Sequence, residues 1–313
     1  VSFKFLLARL WFIVVFYYML AELFRNLNRV ISFIWLYLFS LCGVVFYTLY
    51  RHAKQGFVYT YSSFSPNPFF TDHGVYAAAI SLLLPLLIIF FLKPTVFGLN
   101  VWTRFIAGGM ALFLVVGLLF SYTRAAWLGA GISVLFTGIF MLRIRLVTLL
   151  ITAFMAGAIL FIFKTEIYFT LIDNKTVSTT NIEGHLQSAY NITSDVSNTE
   201  RINRWKSAFR MFNERPILGW GPGTYMFQYA PFQLSSEMTL ISVRTGTLGN
   251  AHSEYFGPLA ETGLPGMMSI IAIVFVSLWR AMHVIYHARE EKISLLAMGA
   301  ILGLITYYVH GCL

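Results

Sequence analysis

Charged side chains are scarce in this chain, and the shortage decides its class. Asp, Glu, Lys and Arg make up 11% of the residues against 58% hydrophobic, and the mean hydropathy is +0.71. A soluble domain carries about 25% charged residues, so this sequence cannot clothe a water-facing surface on every side. Cysteine is nearly absent. Cys42 and Cys312 both lie in apolar stretches, which argues against a disulfide framework and for two small buried side chains. The seven histidines include no HExxH spacing, and no metal or other cofactor is expected. There is no GxSxG elbow and no Walker-type phosphate loop. Gly219, Gly221 and Gly223 do not form a dinucleotide fingerprint, because no βαβ unit surrounds them. Acidic residues are the scarcer sign, 13 against 22 basic. The basic residues are dispersed between apolar runs, a pattern of membrane topology rather than of nucleic-acid binding, so membrane lipid is an expected partner and nucleic acid is not. No basic start with a short apolar core and a small-residue cleavage site is visible. With Val1 first and an apolar run stopping at Leu313, the sequence reads as a fragment truncated at both ends.

What is present is apolar length. A spanning helix needs about 20 mostly apolar residues, and eight stretches qualify: 3–21, 30–50, 74–92, 105–122, 125–142, 146–163, 264–282 and 294–310. The first is the weakest, because Lys4 and Arg9 sit inside it. The expected fold is an all-α polytopic membrane protein of about eight transmembrane helices with one large helical loop, 164–263. Three regions are expected: N-terminal spans over 1–104, a core over 105–280 that includes the loop, and a last span over 281–313. Orientation follows from Lys and Arg in the short loops. One alternate set holds nine of them (Arg25, Arg29, Lys93, Arg104, Arg143, Arg145, Arg280, Arg289 and Lys292), and the other holds Arg51, Lys54 and Arg124. The first set is therefore expected in the cytoplasm and the large loop outside it.

Within the loop, Ser197 and Glu200 have the spacing of a capping box. Ile202, Trp205, Ala208, Phe209 and Phe212 then recur at helical spacing. The helix should stop before Pro216, and PILGWGPGTY signals a tight turn. The stretch 173–199 is polar. NKT at 174–176 and NIT at 191–193 match the glycosylation sequon and are read as chance.

Three residues stand out on the outer side of this topology. Arg124 lies in the hairpin SYTRAAW, Arg201 opens the loop helix, and His252 lies in NAHSEYFGPLAETGLPG. A charged residue at a span end in so short a turn is costly unless it meets water or an anion. Arginine forks grip phosphate oxygens at two points, and histidine exchanges a proton near neutral pH. Together they suit an amphiphilic, phosphate-containing substrate. Plainer roles stay open. Arg124 can snorkel to lipid headgroups. Arg201, Arg204, Lys206 and Arg210 can be the wet face of an amphipathic helix, and a lone histidine is more often structural than catalytic. His73 beside Asp72 reads as a capping or interface pair.

The blocks SYTRAAWLG, ERINRWKSAFRMFNERPILGWGPGTY and AHSEYFGPLAETGLPG resemble, in order, those of the O-antigen ligase and polymerase superfamily over roughly residues 105–280. The matching positions are Arg124; Arg201 with Trp205; Pro216, Gly219, Gly221 and Gly223; and His252, Glu261, Gly263 and Gly266. Ser253 stands where many relatives have asparagine. The resemblance implies a membrane glycosyltransferase of the C-type fold in a bacterial inner membrane, working on the periplasmic face. It implies transfer of a glycan from an undecaprenyl-pyrophosphate carrier to lipid A-core or another glycan acceptor, with inversion and without metal. Arg124 and Arg201 would bind the pyrophosphate and stabilise it as leaving group, with Arg204 and Glu261 as further substrate-binding residues. His252 would position or deprotonate the acceptor hydroxyl. Glu261 has a structural alternative, orienting His252 or capping the next helix. An O-antigen polymerase and a protein O-oligosaccharyltransferase share these motifs. An anionic-solute transporter and a non-catalytic envelope subunit are the alternatives from other classes.

Overall fold

A computed structural model describes residues 1–162, 196–245 and 249–312. The two sequons and most of the polar stretch before 196 lie outside them. Among the described residues nine long helices run in chain order: α1 (Ser2–Leu23, π-wound over Ile13–Met19), α2 (Leu27–Ala53), α3 (His73–Leu92), α4 (Val101–Leu119), α5 (Arg124–Met141), α6 (Leu146–Ile162), α7 (Val196–Glu214), α8 (Phe256–His287) and α9 (Glu291–His310). No strand occurs among the described residues. Seven of the helices, α1 to α5 with α8 and α9, are long and apolar enough to cross a membrane. The eighth expected span is α6, whose 17 described residues end at the edge of the described segment. This is an all-α polytopic membrane protein.

The chain divides into two compact units, Val1–Leu41 with Val196–Ile273 and Gly311–Leu313, and Cys42–Asp195 with Val274–His310. The second unit is organised around α3, which is apolar on every side and buries Tyr76, Ile80, Leu87 and Phe90 completely or nearly so. Asp72 caps it by accepting the Val75 N–H at 2.9 Å, the capping role expected for the Asp72–His73 pair. Helices α4, α5 and α9 pack on α3, and α9 also packs on α5. A hydrophobic effect between helices is weak in lipid, so close backbone approach and hydrogen bonds hold such contacts. At Gly303 the carbonyl of Leu82 comes so near that any Cβ would collide with it. Ser133 Oγ donates to the Leu302 carbonyl at 3.1 Å, and Phe140 of α5, Met282 of α8 and Ile301, Leu302 and Ile305 of α9 form an apolar cluster.

In the first unit α1 buries none of its side chains, and the compact part is the loop fold built on α7. Helix α8 begins there too. Its first two turns are set off from the rest by Gly263, whose φ of 67° and ψ of −157° break the helix. The span expected from residue 264 therefore starts where the backbone restarts after this break.

Candidate active site

The loop fold is closed by a lock between two glycine-rich segments. After α7 ends, Gly219, Gly221 and Gly223 all adopt positive φ, the conformation glycine reaches without steric cost. Trp220 N–H donates to the Ala260 carbonyl at 3.1 Å, Gly221 N–H to the Glu261 carbonyl at 2.7 Å and Leu264 N–H to the Pro216 carbonyl at 2.9 Å. The Glu261 carboxylate completes the lock, accepting Gly223 N–H at 2.8 Å and Tyr225 N–H at 2.9 Å. The backbones lie so close that a Cβ on Gly263 would sit 2.5 Å from the Ile217 carbonyl oxygen, and one on Gly219 2.5 Å from that of Glu261. Gly263 also occupies a φ/ψ region open essentially to glycine alone, worth roughly 1–3 kcal/mol of strain for other residues. Gly263→Ala is therefore expected to open the lock and lower loop stability by at least about 2 kcal/mol. Limited proteolysis in detergent, comparing cleavage within 215–264, measures this.

Glu261, expected among the substrate-binding residues, is thus engaged with backbone N–H groups by both oxygens, a contact other than the cap of the next helix. The turn it caps follows α7 rather than leading into α8.

Below the lock, Ala208, Met211, Tyr225, Tyr229, Ala251 and Ala260 form an apolar core, and a polar network runs through it. The buried Glu200 accepts from Arg204 Nε at 2.9 Å with one oxygen, and from Thr239 Oγ1 at 2.8 Å and Ser242 Oγ with the other. Arg204 reaches on to the Asn250 carbonyl at 3.2 Å. Two expectations change here. Helix α7 already includes Ser197, and the Glu200 carboxylate that a capping box would turn back toward the helix start is held by Arg204, Thr239 and Ser242 instead. Arg204, for which the wet face of α7 was one reading, is only 8% exposed and bonds to Glu200 and Asn250. Lys206 and Arg210 both pair with Glu237.

Burial alone would raise the Glu200 carboxyl, but the bonds from Ser242, Arg204 and Thr239 outweigh it and hold it below the ordinary carboxylate range. The sign of the linkage follows. A carboxyl depressed in the folded state contributes its full stability above the unfolded value of about 4.3, and loses it as pH falls through the lower native value. Glu237 shifts the same way, with Arg210 and Lys206 overcoming its burial. Pepsin cleavage of the loop is expected to rise steeply below about pH 4, with a shallower acid limb in Glu200→Gln measured against its own neutral baseline.

His252 is exposed and has a φ of 47°, inside the left-handed region. A non-glycine residue there is uncommon and often marks a functional turn. Its backbone N–H donates to Asn250 Oδ1 at 2.7 Å, and two residues on Glu254 N–H donates to the Gly311 carbonyl at 2.8 Å. Arg201 lies half-buried on α7, one residue after Glu200. Trp205, one turn further, packs its ring 5.4 Å from that of Phe256 at the start of α8.

In the other unit, Arg124 is half-buried and is the first residue of α5. The turn before it is tightly made. Tyr122 has a φ of 53° and donates its hydroxyl to the Phe57 carbonyl at 2.9 Å, and Thr123 Oγ1 donates to the His73 carbonyl at 3.2 Å. A cation at a helix N-terminus meets the positive end of the helix dipole, unfavourable by about 0.3–1 kcal/mol unless an anion offsets it.

The family model described as O-antigen ligase matches residues 109–271, from within α4 to within α8. The chain belongs to the O-antigen ligase family. The matched stretch of this O-antigen ligase family member contains Arg124, Arg201, Arg204, His252 and Glu261, and with them the whole glycine lock. No curated protein and no solved structure matches the chain significantly. Family membership makes it a glycosyltransferase-type membrane enzyme working with a lipid-linked glycan and a glycan acceptor. Two residues of the O-antigen ligase region escape a reading of the sequence, Glu200 as a network centre and Asn250. A signal existed for each. Glu200 and Arg204 have the i, i+4 spacing of a helix ion pair, and an asparagine two residues before His252 has the spacing of an Asx turn.

Proposed function

We propose that this protein transfers a glycan from undecaprenyl pyrophosphate to lipid A-core on the periplasmic face of the bacterial inner membrane. The observation that carries the proposal is His252, an exposed imidazole on a left-handed turn inside the region matched by the O-antigen ligase family. In this mechanism His252 takes the proton of the acceptor hydroxyl as that oxygen attacks the anomeric carbon. The new C–O bond forms as the bond to the pyrophosphate breaks, and undecaprenyl pyrophosphate leaves with the electron pair. Direct displacement inverts the anomeric centre, and no metal takes part. Arg124 and Arg201 bind the pyrophosphate, whose charge grows as it leaves. The position of Arg124 at the start of α5 supports this, since a guanidinium and a helix N-terminus both favour an anion.

Expression of the full-length protein in a cell lacking its own O-antigen ligase tests the assignment. Lipopolysaccharide ladders restored on a gel are the expected result. No ladder from protein that is correctly inserted would overturn ligation and direct attention to polymerisation of the glycan.

A further inference from the structure

We propose that Asn250 is the positioning residue for His252, tying the base to helix α7 through Arg204 and Glu200. The proposal rests on the role given to His252 above. Asn250 uses both its oxygens. Oδ1 accepts the His252 backbone N–H at 2.7 Å, and the carbonyl oxygen accepts from Arg204 Nη1 at 3.2 Å. Arg204 donates Nε to Glu200 Oε1 at 2.9 Å, and Glu200 Oε2 is held in turn by Thr239 at 2.8 Å and by Ser242. Tyr225 adds to the anchorage by donating its hydroxyl to the Arg204 carbonyl at 2.8 Å.

The burial gradient along this chain of contacts gives it direction. Glu200 and Arg204 are 3% and 8% exposed, whereas Asn250 and His252 lie at the surface. The fixed end is inside the fold and the reactive end outside. An exposed histidine at φ 47° has lower-energy right-handed backbone states within reach, and moving to one would carry the imidazole away from its present direction. The Asn250 side chain holds the His252 N–H against that rotation, and Arg204 holds Asn250 itself. Asparagine suits the task because its short side chain closes on an N–H two residues ahead. A misplacement of about 1 Å in a reacting group can cost about 10²-fold in rate, so loss of this hold should appear in the chemical step rather than in donor binding.

The test uses the full-length protein in membrane vesicles from a host without its own ligase. The substrates are undecaprenyl-pyrophosphate-linked O-antigen and lipid A-core, and rates are normalised to protease-resistant protein. Asn250→Ala is expected to lower kcat about 10–100-fold with the donor KM within about twofold. Asn250→Asp keeps an acceptor oxygen for the His252 N–H and should recover to within about threefold of the wild type. In a His252→Ala background, Asn250→Ala should cause no further loss. Arg204→Lys keeps the charge beside Glu200 but loses the second arm of the fork. It should give a smaller loss, also confined to kcat, and it carries the test if Asn250→Ala does not fold. A wild-type kcat for the variant that carries the test would overturn the proposal. So would equal losses in the alanine and aspartate variants, or additive losses in the His252→Ala background. Inactive His252→Ala beside fully active Asn250→Ala removes the positioning role alone. Fully active His252→Ala removes the base assignment, and the positioning role with it.

Discussion

Cells that depend on this protein for ligation are expected to lose their lipopolysaccharide ladder when His252 is replaced by alanine, while the protein still inserts in the membrane. General base catalysis contributes typically 10²–10⁴-fold, so a gel that resolves a hundredfold drop would register it. The left-handed backbone at this position adds a complication, because alanine there costs about 1–2 kcal/mol and a folding defect could mimic a chemical one. His252→Asn separates the two. Asparagine tolerates the left-handed region but cannot accept the hydroxyl proton, so it should keep the turn and still lose transfer. If the asparagine variant ligates normally, the imidazole has no part in proton transfer. If alanine alone fails, the turn rather than the base is what the residue supplies.

The second large effect concerns the arginines. Arg201→Ala and Arg124→Ala are each expected to reduce transfer about 10²–10³-fold, the size seen when a donor is removed from a developing anion. Lysine restores the charge but not the planar fork, so Arg201→Lys and Arg124→Lys should recover only part of the loss. Initial rates over a range of donor concentrations divide each effect between binding and chemistry. A contact that strengthens only as the pyrophosphate departs lowers kcat and kcat/KM together, while one made equally in the ground state raises KM alone. Near-normal transfer by either alanine variant would take that arginine out of the pyrophosphate site. Neighbouring Arg204 is the informative contrast. It is committed to Glu200 and Asn250, so Arg204→Ala should leave a buried carboxylate without its cation and destabilise the loop by several kcal/mol.

Much of this architecture was legible in the sequence because lipid imposes a simple rule. Every spanning segment must be long, apolar and helical, and the eight expected stretches coincide with α1 to α6, α8 and α9. Even the doubtful first stretch, with Lys4 and Arg9 inside it, lies within a continuous helical run, Ser2–Leu23. Helix α7 and the glycine turn after it were equally readable, one from its apolar spacing and the other from its composition. The roles of Glu200, Arg204 and Glu261 were not. Their partners lie 36 to 46 residues away at Thr239, Ser242, Asn250, Gly223 and Tyr225, and periodicity carries no record of such distances. Local spacing gave Glu200 a capping role that the buried network took instead. Arg204 shows the same limit. At 3.6 residues per turn it falls about 160° from Lys206 and about 120° from Arg210, but the helical wheel gives no sign of the buried bonds to Glu200 and Asn250, which only tertiary contact supplies.

The glycine lock sets an order of assembly for the protein during synthesis. Gly223 is separated by 38 residues from the carboxylate that holds its N–H. At roughly 5–20 residues per second, about 2–8 s pass between the two leaving the ribosome. Throughout that interval the turn after α7 has emerged without its clasp. The loop can close only when the start of α8 arrives, so α8 is both a membrane span and the last piece of the domain that precedes it. A stalled or slowly inserted α8 would leave the candidate active-site loop complete in sequence and open in structure.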